Sequence, residues 1–336
     1  MNNYFSLPTG YYESLNKIKA SLNCSVVKIR FTLEALATGQ LPESASSIFR
    51  GMIGKFLKEK NCINRGVSCD RCPFITGCAY GSIFEPTSEA FAPMYKEKMH
   101  NLSPAIVIDG PYFPEYEWRE KEEAVLDLLF IGDSAMKIHH FGEVLEEIGL
   151  VGVGKHRVKY RIKEVKQIFR NGSTVSLYEN EFIDYGNIRL EDLTWSDDDD
   201  KEKMDSILIR LETPLRLKFQ GEYMNTVTVE SFILACLRRA EYVLNIHHGK
   251  DLNFESAFVE AVLDGLRISQ PQIQWKDFHR YSSRQKRVMN LGGMVGTFEL
   301  TGNVAAVLPS LEFCSYFHIG KQTVFGCGKF SIWVRK

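Results

Sequence analysis

Apolar positions along the chain fall into two periodicities. Val26 to Leu33 and Ile207 to Leu217 alternate apolar with polar residues, the mark of half-buried strands, whereas Ser46 to Lys58 and Val229 to Ile246 repeat apolar residues at helical spacing. Ile138, Phe141, Val144, Leu145 and Ile148 share one helical face, and Ala305 to Phe317 is a weaker counterpart. Each of these later helices runs into a Gly-x-Gly-Lys step and then a strand: Gly152-Val153-Gly154-Lys155 in the first half, Gly326-Cys327-Gly328-Lys329 in the second. Each half thus opens strand-helix and closes helix-glycines-strand. Two further strands are predicted between, at about 106–108 and 125–131 in the first half and within 288–300 in the second.

Both halves then read βαββαβ, and the predicted fold is α+β: tandem ferredoxin-like (RRM-like) units, a plan whose open sheet face commonly takes RNA. The predicted domains are residues 1–175 with a Cys-rich insertion at 62–80, an acidic linker over 176–205 that contains Asp197-Asp198-Asp199-Asp200, and a C-terminal RNA-binding unit over 206–336. The glycine steps match neither nucleotide motif. A dinucleotide fingerprint needs a third glycine, where Arg157 and Ser331 stand, and a phosphate-binding P-loop needs Ser or Thr after the lysine, where His156 and Phe330 stand. Glycine can still let a backbone approach a phosphate, so Gly326 and Gly328 are candidate RNA contacts with Lys329.

Composition adds limits. With 336 residues, 44% apolar and 25% charged, the chain is long enough for two domains and is neither disordered nor a coiled coil. No apolar run approaches the ~18–20 residues of a membrane helix, and Met1 to Ser6 does not open a secretory signal, so a cytoplasmic location with no membrane partner is expected. The formal net charge of -1 argues, taken alone, against a nucleic-acid partner. Its distribution reverses that argument. Between Lys155 and Arg170 seven cations face one acid, Glu164. Lys155, Arg157, Lys159, Arg161 and Lys163 fall at every second position, which on a strand would draw a row of charge roughly 26 Å long, suited to a phosphate backbone. A second basic stretch runs from Arg267 to Lys336 and holds Arg280, Arg284, Lys286, Arg287, Lys321 and Lys329.

Four of the eight cysteines cluster as Cys62, Cys69, Cys72 and Cys78. Without a secretory signal, disulfides are disfavoured and a structural zinc on four thiolates is expected, an iron–sulfur cluster being the rival. Four thiolates close a tetrahedral sphere, so this metal would have no open position for substrate.

The C-terminal third resembles a known family. Arg280-Tyr281-Ser282-Ser283-Arg284-Gln285, Leu291-Gly292-Gly293-Met294-Val295-Gly296, His318-Ile319-Gly320-Lys321 and Phe325-Gly326-Cys327-Gly328-Lys329 are similar to the C-terminal domain of CRISPR precursor-RNA processing endoribonucleases of the RAMP superfamily. Phe49-Arg50-Gly51, Cys78-Ala79-Tyr80, Phe84-Glu85 and Gly152-Val153-Gly154 extend the likeness into the first half. The resemblance implies tandem ferredoxin-like domains, cleavage of repeat RNA without a catalytic cofactor, a role in antiviral defence, CRISPR repeat RNA as partner and, beyond it, other CRISPR effector subunits. Such cleavage needs a base for a 2′-hydroxyl, in-line attack on phosphorus and cations for the developing charge, and leaves a 2′,3′-cyclic phosphate. Many relatives carry a histidine in or near the first helix, yet residues 35–60 contain none. His318, beside Gly320 and Lys321, is therefore the first candidate base, followed by His279 and His156. Lys321 and Arg280 are candidates for neutralising phosphate, Tyr281 for stacking or proton orientation, and Arg284, Lys286 and Arg287 for backbone contacts. Two other readings remain open at this stage: a guide-RNA-binding subunit that cuts nothing, and a zinc-stabilised adaptor whose basic faces meet an acidic protein.

Overall fold

A computed structural model of the chain describes residues 20–87, 102–195, 204–277, 279–282 and 287–334. In the first half the elements are β1 (Cys24–Ala35), β2 (Gly39–Gln40), α1 (Ser46–Asn61), α2 (Ala79–Phe84), β3 (Ile106–Asp109), β4 (Glu117–Trp118), β5 (Glu123–Ile131), α3 (His139–Val151), β6 (Tyr160–Ile168), β7 (Thr174–Ser176), β8 (Tyr178–Glu179), β9 (Phe182–Ile183) and β10 (Glu191–Leu193). The second half holds β11 (Ser206–Leu215), β12 (Lys218–Phe219), β13 (Glu222–Tyr223), α4 (Val229–His248), α5 (Ser256–Asp264), β14 (Leu266–Lys276), β15 (His279–Ser282), β16 (Arg287–Asn290), β17 (Gly293–Gly302), α6 (Leu308–Phe317) and β18 (Phe330–Val334).

Both halves are ferredoxin-like. The first sheet runs β3-β5-β1-β6-β7 and the second β14-β17-β11-β18, with antiparallel pairing throughout. In each, the first strand is central, flanked by the third and fourth strands of the βαββαβ unit. Alternation along β1 explains its placement. Val27, Ile29, Phe31 and Leu33 pack under Phe49, Ile53 and Leu57 of α1 and Phe141, Val144 and Leu145 of α3, while Lys28, Arg30 and Glu34 occupy the opposite face. In the second half Ile207, Ile209 and Leu211 lie under Phe232, Val243 and Leu244 of α4 and Leu311 of α6. Helix α4 is well delimited: Thr228 and Ser231 form a capping box at its start and Gly249 closes it in the left-handed region, at φ 61°.

The two units share a core. Cys24, Val26, Val107, Leu129 and Ile131, on the side of the first sheet away from α1 and α3, join the cluster of Phe313, Phe317 and Leu237 from the second unit's helices. Burying each such side chain contributes roughly 1.5–3 kcal/mol, so this seam holds one unit on the other. The layers are therefore helices, first sheet, second unit's helices, second sheet.

Two expectations are corrected. The segment expected as linker is folded over 176–195: β8 and β9 form a hairpin and β10 pairs with β1, Cys24 opposite Leu193. The Asp197–Asp200 run lies outside the described residues. In the second unit the middle strands are β14 and β17 rather than two strands within 288–300, because β14 and β17 are joined through the β15–β16 hairpin, which pairs only with itself.

Candidate nucleic-acid interface

The basic strand is only partly a strand. Val153 bridges Val158 and the residues between them turn, so Lys155, His156 and Arg157 sit on an exposed turn and β6 begins at Tyr160. From Lys159 onward the alternation holds: Tyr160 and Ile162 are buried and Lys159, Arg161 and Lys163 exposed. Acids of neighbouring strands and of β6 itself answer several of the cations. Arg161 binds Glu34 at 2.7 Å, Lys163 pairs with Glu123 and with Glu34 at 3.5 Å, and Lys166 pairs with Glu164 at 2.6 Å. The expected uninterrupted 26 Å row is thus not formed. A pattern read along one strand does not show what stands opposite, and here β1 brings Glu34 against Arg161 and Glu123.

The second glycine step lies at the junction of the units. Gly326 and Gly328 adopt φ of 77° and 75°, and added Cβ atoms would come within 2.9 Å of the Ile108 carbonyl oxygen and 1.8 Å of the Ile319 carbonyl oxygen. Their N–H groups are used within the protein, Gly326 donating to the Thr323 carbonyl and Gly328 to the Pro214 carbonyl. Both glycines are buried, so they set the turn rather than cradle a phosphate themselves. What the turn presents is Lys329. Its N–H donates to Thr213 Oγ1 at 2.9 Å and its carbonyl accepts from Glu212 N. Its Nζ donates to Asp109 Oδ2, at the end of β3 in the other unit, at 2.6 Å. Tyr112 donates its hydroxyl to the other oxygen of Asp109 at 2.5 Å. Burial would raise the Asp109 carboxyl, but the positive neighbours His318 and Lys329 and the hydrogen bonds from Lys329 and Tyr112 hold it down at about 2.

His318 stands behind this pair. It follows α6 with φ 57°, is buried, and its Nδ1 has no hydrogen-bond partner among the described residues. Burial is the first cause of its lowered pKa, about 4, with the Asp109 charge opposing and the Lys329, Lys28 and Arg239 charges assisting. Arg239, itself buried, donates to the carbonyls of Phe317 and His318 and so fastens the end of α6. A base must come within hydrogen-bond reach of its proton, and His318 lies inside the seam, short of any surface hydroxyl.

Lys321 is exposed, and its N–H donates to the Arg216 carbonyl. Arg216 in turn donates Nη1 to the carbonyl of Asn290, the last residue of β16, and stacks on Tyr223 with its guanidinium carbon 4.2 Å from the ring centre. The hairpin base is thereby tied to the loop that carries Lys321. Arg280 and Tyr281 lie on β15, opposite Met289 and Val288, and Arg287 on β16 faces Ser282. Arg284 and Lys286 fall outside the described residues. Lys276, at the end of β14, reaches across to Glu43 of the first unit at 2.6 Å. Sequence reasoning missed Asp109, Tyr112 and Arg216. Nothing local marks Tyr112 or Arg216, and for Asp109 the one signal is the step from Ile106-Val107-Ile108 to a charge.

At the start of α1, Ser44 Oγ and Ser46 Oγ lie 3.2 Å apart, and Ser46 Oγ lies 3.0 Å from where a Cβ on Gly326 would stand. The first helix thus meets the glycine turn through Ser46.

The four cysteines occupy successive turns after the first helix. Cys62 follows α1, Cys69 opens a short 3-10 turn that ends at Cys72, and Cys78 caps α2, its Sγ accepting from Gly81 N at 3.4 Å. Burial raises the Cys69 thiol pKa, with Cys62 and Cys78 near enough to add to the rise. Among the described residues no three His, Cys, Asp or Glu side chains form a group able to hold a metal ion, so the expected zinc gains no support from their placement. No step below is routed through a metal there.

Two sheets of ferredoxin order, joined so that a glycine turn of one meets the edge of the other, define a tandem ferredoxin-like architecture. Comparison with known proteins agrees. A family model described as CRISPR-associated endoribonuclease Cas6 matches residues 209–330, and one described as an N-terminal domain matches residues 22–192. Among solved structures, a partial Cas6-RT-Cas1–Cas2 complex aligns with TM-score 0.55 and 12% identity, covering 93% of this chain and 46% of that one. A Cas6 product complex aligns with TM-score 0.52 and 13% identity, covering 92% and 99%. Thermus thermophilus Cas6 aligns at 0.49 and 12%, covering 92% and 98%. The chain spans less than half of the first of these, and no curated protein matches it. Residues 209–330 thus carry a Cas6-type domain, the kind found in CRISPR-associated endoribonucleases. No helix among the described residues is long and apolar enough to cross a membrane.

Proposed function

We propose that this chain cuts precursor CRISPR RNA within its repeats, without a metal, by attack of a 2′-hydroxyl on the adjacent phosphodiester. The observation that carries the reading is the Lys329 ammonium, which the second unit's glycine turn delivers to the junction with the first unit while its side chain remains 37% exposed. A base takes the 2′-hydroxyl proton, the oxygen bonds to phosphorus, and the bond to the 5′-oxygen breaks. That oxygen leaves with a proton as a 5′-hydroxyl, and the other fragment keeps a 2′,3′-cyclic phosphate. Lys329 and Lys321 supply positive charge to the phosphorane oxygens. Because His318 is interior, the base role passes to His279, on β15 next to Arg280 and Tyr281. In this reading Tyr281 stacks on a base beside the cut, and Arg280, Arg284, Lys286 and Arg287 follow the backbone of the repeat. Lys155, Arg157 and Lys159 add a peripheral phosphate contact from the first unit's turn.

Labelled repeat RNA incubated with excess protein in EDTA tests this. Cleavage is expected. RNA that shifts on a native gel but stays intact would establish the other reading, a guide-RNA-binding RAMP subunit, which a first helix without histidine favours. RNA neither shifted nor cut would point to an adaptor of proteins.

A further inference from the structure

We propose that Asp109 is a positioning residue for RNA cleavage: from the first unit it holds the Lys329 ammonium of the second unit against the scissile phosphate. This rests on the endonuclease reading above and adds to it a residue on the opposite domain.

The geometry is specific. Asp109 ends β3, its side chain 9% exposed, and each of its oxygens has one partner, Lys329 Nζ on Oδ2 and Tyr112 hydroxyl on Oδ1. An ammonium has three N–H donors, so one bond to Asp109 leaves two for a ligand. The half-open side of Lys329 is the direction from which a phosphate can approach. The lysine backbone is also fixed at both ends, by Thr213 Oγ1 on its N–H and by the Glu212 N–H on its carbonyl. A buried carboxylate is costly to desolvate and a half-exposed partner repays little of that, so the pair is a poor device for stability alone. It is a good device for orientation. Lysine has a long flexible side chain, and a carboxylate on the facing domain removes that freedom before substrate arrives. It also makes the cationic site depend on both units being docked, because neither contains ammonium and carboxylate together.

The test is a double-mutant cycle on single-turnover cleavage of repeat RNA in EDTA, with Asp109→Asn, Lys329→Gln and the double variant at saturating protein. Binding to RNA carrying a 2′-deoxy nucleotide at the cut site and the melting temperature of each variant are measured in parallel. Lys329→Gln is expected to slow the cleavage step about 100-fold, the scale for one preorganised donor to a developing oxyanion. Asp109→Asn is expected to slow it about 10-fold or more, and the double variant to be no slower than Lys329→Gln alone. Binding of the deoxy RNA should change less than about 3-fold for Asp109→Asn, since positioning acts on the chemical step. Should Asp109→Asn not fold, Tyr112→Phe, which removes the other hydrogen bond to the same carboxylate, runs the same cycle with a smaller slowing. Effects that multiply in the double variant, or wild-type speed in the carboxylate variant, overturn the inference while leaving the endonuclease reading intact. A wild-type protein that leaves the RNA whole overturns both.

Discussion

The two ferredoxin-like units share a strand order and a Gly-x-Gly-Lys step before the last strand, yet they use that step differently. In the first unit Lys155 points away on an exposed turn, and the cations that follow are answered by Glu34 and Glu123 within the same sheet. In the second, Lys329 is answered from across the domain junction by Asp109, the glycine turn being packed against Ile108 and the start of α1. A local motif fixes a turn, while what surrounds the turn decides whether its lysine stands free in solvent or is held by a partner. One copy became a solvated corner. The other became part of the domain junction.

Several substitutions would break or sharpen that contrast. The largest effect is expected for His279→Ala, which should lower the cleavage rate between about 100- and 10,000-fold if it removes the general base, measured by single-turnover assay. His318→Ala should instead act on folding, seen as a lower melting temperature. A cleavage loss as large as that of His279→Ala in a well-folded His318→Ala would return the base role to His318. Next comes a direct comparison of the two lysines. Lys329→Gln is expected to slow the chemical step about 100-fold, whereas Lys155→Gln should weaken RNA binding only a few-fold and reduce the salt slope by about one. Equal losses from the two would erase the distinction between the units.

A third effect concerns acid. His318, His247 and His248 are held neutral by burial, at about 4, 3 and 4, below the ~6.5 of an exposed histidine. The unfolded chain therefore takes up protons before the folded one does. Their contribution is fully present above about pH 6.5 and is lost as the pH falls toward 4, so the melting temperature should drop over that window. Asp109, held near 2, keeps its contribution throughout that window and loses it only in stronger acid. His248→Asn should flatten part of the drop, and an unchanged slope would mean that His248 is not one of its sources. The smallest effect is expected for Arg161→Ala. Arg161 is exposed but its partner Glu34 is largely buried, and Lys163 remains as a second cation on that carboxylate, so the loss should be on the order of 1 kcal/mol and urea melts should move little.

Much of the fold was legible because it rests on periodicity. The alternation at Val26 to Leu33 and the helical stripe at Ile138 to Ile148 reappear as β1 and α3, and the paired glycine steps correctly announced a duplicated unit. The middle strands of the second unit were not legible. β14 reads Gln270-Pro271-Gln272 in mid-strand and is largely exposed, so it lacks the apolar pattern that strand prediction needs. The acidic composition of 176–195 likewise concealed β10, which is held by pairing with β1 rather than by its own hydrophobicity. In the candidate site, Lys329 was marked by its glycines and Lys321 by its motif. Asp109 was not, because its meaning lies in a contact 220 residues away along the chain. His318 was favoured by its neighbours in sequence, yet those same neighbours, Phe317 and Ile319, are core residues and take it inside.

The central claim, that the junction of these two units is a metal-independent RNA-cleaving site, is tested most directly by the mass of the cut end. Repeat RNA digested in EDTA should yield one fragment ending in a 2′,3′-cyclic phosphate and another beginning with a 5′-hydroxyl, and a single 2′-deoxy nucleotide at the cut should abolish both. A 3′-hydroxyl paired with a 5′-phosphate, or cutting that persists past the deoxy substitution or stops in EDTA, would contradict it.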